Sequence, residues 1–238
     1  MSLLELRNVN KRSERLGRDR LLLENASMGV DGGELVAVWG LRGSGRTTLL
    51  RIASGIDTPD SGTVTFEGRD LTRCGEQILG HQISYCQKSF RTAQGQNAID
   101  EVIVGVLVKG ATPAQARVRA NEALDRVDGA NLALRRISDL DGVERTRLAL
   151  AHALAQQPRL LVIDEPVAGV DLQDRDAVLM LLRSLADEGI AVLMTVGDVT
   201  GLSGADQALT IGDGELRGSG KRELAPVTDL SMRRRASG

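Results

Sequence analysis

Nine consecutive residues, Gly40-Leu41-Arg42-Gly43-Ser44-Gly45-Arg46-Thr47-Thr48, limit what this chain can fold into more than any other stretch. Before them, Glu34 to Trp39 is a short, mostly apolar run, which reads as a central strand covered on both faces. After them a helix starts near Thr47 and turns Leu49, Leu50 and Ile52 inward. A glycine-rich loop between strand and helix is the setting of a phosphate-binding loop. Gly40, Gly43 and Gly45 let the backbone curl so that successive N–H groups, with that of Ser44 among them, point at one anion. The helix adds the positive end of its dipole. Thr47 is placed to offer its hydroxyl to a magnesium ion and Thr48 to touch a phosphate. ATP and magnesium are therefore the expected cofactors. Arg46 stands where such a loop carries lysine, and a planar guanidinium fork does not fill the space of a compact ammonium. Phosphate binding can survive that exchange, whereas the in-line geometry of phosphoryl transfer is expected to suffer.

A second feature, an acidic pair, lies 118 residues beyond Arg46. Leu160-Leu161-Val162-Ile163 reads as a buried strand that ends in Asp164 and Glu165. Carboxylates at the carboxyl end of such a strand are where open α/β sheets place their chemistry. Asp164 is expected to hold the magnesium shell through water, and Glu165 to polarise an attacking water.

The rest of the chain agrees with an α/β domain. Strands are expected over 3–9, 21–28, 63–66, 83–86 and 190–194, with Asn10 to Arg20 as a polar connection. Gln207 to Ile211 and Glu215-Leu216 flank Asp213-Gly214, a hairpin signal. Residues 88–140 change to polar and then helical character and read as an inserted helical subdomain. Thr112, Pro113 and Gln115 open a helix there with a capping box. Alternating strands and helices predict a largely parallel sheet, in one domain over 1–238. The net charge of −2 among 238 residues calls for no nucleic acid or anionic surface. The longest apolar run, Val102 to Val108, is seven residues, against the ~20 that a spanning helix needs. No direct membrane insertion is expected, and any link to a membrane runs through a partner. Cys74 and Cys86 have neither metal-ligand nor CxxC spacing and read as incidental thiols.

Taken in order, these parts resemble an ABC transporter ATPase subunit, most like the branch serving lipoprotein-release and macrolide-export systems. GLRGSGRTT resembles that family's Walker A, LLVIDEP its Walker B, and Gly169-Val170-Asp171 its D-loop. Gln87 resembles the Q-loop glutamine, which implies contact with the metal or the attacking water. The resemblance implies a P-loop NTPase (RecA-like) core with an antiparallel β lobe and an inserted helical subdomain. It also implies two partners: a transmembrane permease subunit, and a second nucleotide-binding domain whose signature motif closes over the phosphates. The implied location is cytoplasmic, at the inner face of the plasma membrane.

Several positions depart from that family. The signature stretch reads Leu140-Asp141-Gly142-Val143-Glu144, so Asp141 brings a carboxylate toward the partner's γ-phosphate and Val143 replaces a glycine. The segment MTVGDV puts Val196 where the family has its switch histidine. No aromatic residue precedes Trp39 to stack on adenine, which leaves Arg12, Arg15 and Arg18 as substitutes. Together these predict an ATP-binding subunit with impaired hydrolysis, paired with a non-identical, intact ATPase. Two alternatives stay open: an active ATPase using Glu165 with Arg46, and an ABC ATPase outside transport.

Overall fold

A computed structural model describes residues 2–15, 18–73, 82–86 and 96–219. Gln87, Cys74, residues 88–95 of the expected helical insert and the arginine-rich tail at 233–235 lie outside them. Among the described residues, ten strands form two sheets. The smaller is antiparallel, in the order β2 (Arg18–Val30), β1 (Leu4–Arg15), β4 (Ser61–Phe66), β5 (Arg69–Asp70). In the larger, β9 (Gln207–Gly212), β3 (Leu35–Gly40), β8 (Ala191–Val196), β7 (Leu160–Asp164) and β6 (Ile83–Cys86) run parallel. Only β10 (Glu215–Ser219) is antiparallel, on β9. Asp213 and Gly214 both have positive φ there, the type I′ geometry that suits a two-residue hairpin.

The expected connection over Asn10 to Arg20 is instead mostly strand. β1 and β2 stay paired out to Arg15 opposite Arg18. Register shifts near Val9 and Lys11 break the alternation that identifies a strand in sequence.

Alternate residues of the central strands serve two separate cores, as a period of two requires. Val36 and Val38 of β3, Leu160 and Val162 of β7, and Leu193 of β8 join the β lobe and α1 (Arg46–Ala53). Leu35, Ala37, Leu161, Ile163 and Met194 face the opposite core. That core contains α2 (Ala98–Leu107), α3 (Pro113–Arg126), α4 (Gly142–Leu154) and α5 (Leu172–Asp187). The capping box of α3 forms as its residues predict: the Gln115 N–H donates to Thr112 Oγ1 at 3.3 Å, and the Thr112 N–H to Gln115 Oε1 at 3.0 Å. Ala116, Ala120, Leu124 and Val127 then face inward. None of the described helices is long and apolar enough to cross a membrane.

Candidate active site

The glycine loop leaves the carboxyl end of β3 and turns directly into α1. Glycine is required at two of its positions. A Cβ on Gly40 would lie 2.6 Å from the Ile211 carbonyl oxygen, and one on Gly45 would lie 2.3 Å from that of Leu22. Gly45 also has φ of +104°, a conformation that side-chain-bearing residues rarely hold. It is the N-cap of α1, so no side chain caps that helix, and no acidic residue lies in its first turn. The first N–H groups of α1 therefore keep their capacity for an anion. Ser44 Oγ is buried beside them without a hydrogen-bond partner.

Arg46 is 8% exposed and turns toward the carboxyl ends of β7 and β8. Its Nη2 pairs with Glu165 Oε1 at 2.5 Å, and its Nη1 donates to the Val196 carbonyl. Its fork is thereby closed on two oxygens of the protein. Thr47 Oγ1 donates to Asp164 Oδ2 at 2.8 Å, and Thr195 Oγ1 to Asp164 Oδ1 at 2.7 Å. The same Thr195 hydroxyl accepts from the Glu165 N–H at 3.0 Å. Thr47, Asp164, Glu165 and Arg46 thus meet as the spacing of loop and strand implies. Thr195 belongs with them and was not singled out from sequence. Its one signal is a hydroxyl near the end of an otherwise apolar strand.

Tyr85 on β6 has its phenol pushed up to about 12, mainly by burial and then by the charge of Asp164. Burial alone pushes the Cys86 thiol up to about 12. An unionised thiol is a poor nucleophile and a poor ligand, which agrees with reading Cys86 as incidental.

The other motif residues occupy distinct places. Val196 is fully buried, and a Cβ built on Gly201 would meet its Cγ1 at 2.7 Å. Its carbonyl faces the site, where it accepts from Arg46 Nη1. Asp141 is the N-cap of α4: its Oδ1 accepts from the Glu144 N–H at 2.8 Å, and Glu144 Oε2 accepts from the Asp141 N–H at 3.0 Å. Asp141 remains solvent-exposed. Gly142 abuts the D-loop stretch, since a Cβ there would lie 2.2 Å from the Gly169 carbonyl oxygen. Val143 packs against the helical core. Arg175 ties this stretch to the end of β8, donating to the Val170 carbonyl at 3.2 Å and to Asp198 Oδ2 at 2.9 Å. Of the arginines considered for adenine, Arg12 has its N–H on Asp60 Oδ2 at 2.7 Å, and the side chains of Arg15 and Arg18 are outside the described residues.

Solved structures share this architecture. The dimeric bacterial ABC transporter cassette MJ0796 superposes with a TM-score of 0.83 at 24% identity, over 93% of this chain and all of that one. The ADP form of MJ1267, another cassette, gives 0.80 at 22% identity, over 93% of both chains. The cbiO1 subunit from Clostridium perfringens, part of the transporter complex cbiONQ, gives 0.77 at 24%, over 90% of this chain and 86% of that one. At these identities the likeness establishes the fold. The sequence model of the ABC transporter family matches residues 23–168. That span holds the glycine loop, the Asp164–Glu165 pair and Asp141, and it is well over half of the chain. The protein accordingly belongs to the ABC transporter family, as one of its ATP-binding cassettes.

Proposed function

We propose that this chain is the ATP-binding subunit of an ABC transporter, of the lipoprotein-release and macrolide-export type, that binds Mg-ATP and hydrolyses it poorly. The ion pair between Arg46 and Glu165 carries this reading. A general base must offer a free carboxylate oxygen to the water it activates. Here that carboxylate is held by a guanidinium which a second bond ties to the Val196 carbonyl. Separating a largely buried pair leaves a charge without its partner and is costly. Val196 turns its side chain away from the site, so nothing replaces the imidazole that relatives use at this position.

The residues present fit a nucleotide. Ser44 Oγ is a buried polar atom without a partner, the first turn of α1 has no side-chain cap, and Thr47 and Asp164 bring together the hard oxygen donors that magnesium prefers. When bound, ATP supplies the anion that draws two cassettes together. Gly40, Gly43, Ser44, Gly45, Thr47 and Thr48 would hold its phosphates, and Thr47, Asp164 and Gln87 its metal. Residues 88–140 would form the helical insert that reads nucleotide state. Asp141 and Gly142 would face the nucleotide of a second, non-identical cassette, and a transmembrane permease would carry the assembly at the cytoplasmic face of the membrane. Support for the permease comes from the family match and from cbiO1, a part of a transporter complex.

A phosphate-release assay on the pure protein tests this. Turnover should be well below about one per second, the lower end of ordinary enzyme rates. Arg46→Lys alone should restore little, because Val196 still gives the γ-phosphate and water no partner. Turnover at or above about one per second would sink the proposal.

A further inference from the structure

We propose that Arg20, on β2 outside the glycine loop, is the mobile cation that binds the nucleotide polyphosphate, in the place left by Arg46. This deepens the nucleotide-binding reading and rests on it. The first observation is that Arg46 is committed. Its guanidinium is buried and bonded to Glu165 and to the Val196 carbonyl, so the phosphate loop lacks a free positive charge of its own at that position. A triphosphate carries several negative charges, and N–H dipoles alone neutralise them only partly.

The second observation is where Arg20 lies. A Cβ built on Gly43 would be 3.3 Å from Arg20 Nη1 and 3.9 Å from Nη2. Both terminal nitrogens of the fork therefore address the middle glycine of the loop. Arg20 is exposed, and its side chain makes no ion pair or hydrogen bond with another described residue. It is free to exchange water for phosphate oxygens.

The third observation is that the strand beneath it is fixed against the loop. The Leu22 carbonyl lies against Gly45, and the Glu24 N–H donates to the Gly214 carbonyl at 2.7 Å. Leu22 and Glu24 follow Arg20 closely on β2, so their backbone contacts fix the stretch of strand from which Arg20 reaches Gly43. A guanidinium on that path can grip two phosphate oxygens at once. It also arrives from the β lobe, so nucleotide binding would couple β2 to the loop. Gly43 has φ of +83° and no side chain, and any larger residue there would displace the fork.

The test compares Mg-ATP, Mg-ADP and AMP binding by calorimetry in the wild-type chain, Arg20→Ala and Arg20→Lys. Arg20→Ala should weaken Mg-ATP binding about tenfold, the scale of one charge-assisted contact. It should weaken Mg-ADP less and AMP least, so that the preference for ATP over AMP narrows. Arg20→Lys should recover part of the loss. Because the side chain is exposed, thermal melts of all three proteins should coincide. Equal losses for all three nucleotides would assign Arg20 to the base or ribose and overturn the inference. So would Mg-ATP affinity in Arg20→Ala within twofold of wild type. If the wild-type chain binds no Mg-ATP at all, the nucleotide reading itself falls and takes this role of Arg20 with it.

Discussion

Val196 shows how far a single side chain can be from the role that its position suggests. The family resemblance implies an imidazole there, whereas in this chain Val196 closes β8 with its side chain turned against Gly201. Installing histidine should therefore not repair the site. The larger ring overfills a packed position, which typically costs ~1–3 kcal/mol, and it buries polar nitrogens that need partners. Val196→His should lower the melting temperature by roughly 2–12 °C, at about 2–4 °C per kcal/mol for a domain of this size. Phosphate release should not rise. Thermal denaturation and the release assay together check this, and a variant that melts like the wild type while hydrolysing faster would contradict the packing.

At the scale of elements, α2 and α4 meet where Gly105 faces His152: a Cβ on that glycine would lie 2.2 Å from His152 Nε2. Burial, and then the charge of Lys109, hold the imidazole below its usual range. The unfolded chain thus binds a proton at His152 more readily than the native protein does. Stability due to this group is complete above the ordinary histidine value of about 6.5 and is lost as pH falls below it toward the depressed native value. Between pH 7 and pH 5 the wild-type chain should lose melting temperature faster than His152→Gln, and parallel slopes would refute this. The helices of this core show what was legible in sequence. The hydroxyl, proline and glutamine that open α3 are local signals and fixed its start. The α2–α4 contact depends on a glycine 47 residues away from a histidine, and no local pattern announces such a meeting. At the site, the loop glycines and the Asp164–Glu165 pair were legible because their chemistry lies in short motifs. The bond from Arg46 to Glu165, the role of Thr195 and the approach of Arg20 are tertiary, each joining residues from different elements.

At the scale of the whole molecule, Asp141 has two consequences that can be separated. Within the chain its carboxylate caps α4, and across an interface it would meet a partner's phosphate. Serine is an equally good N-cap but carries no charge. Asp141→Ser combined with Val143→Gly should keep the fold, at a cost of about 1–2 kcal/mol for a glycine in a helix and the lost packing of Val143. It should strengthen Mg-ATP-dependent dimerisation, as seen by light scattering at several salt concentrations. A double variant that dimerises no more tightly than the wild type would mean that Asp141 faces no phosphate, and the case for a non-identical partner would lapse.

Trp39 is the only tryptophan in the chain. It sits on β3 immediately before Gly40, half-buried, between Val196 of β8 and Thr210 of β9. Excitation of the native protein at the red edge of aromatic absorption thus interrogates one indole, next to the loop and to the strand end that Arg46 grips. Any rearrangement that releases that guanidinium alters the field around the ring and its emission. The chain carries its own optical gauge of this site, without an added label.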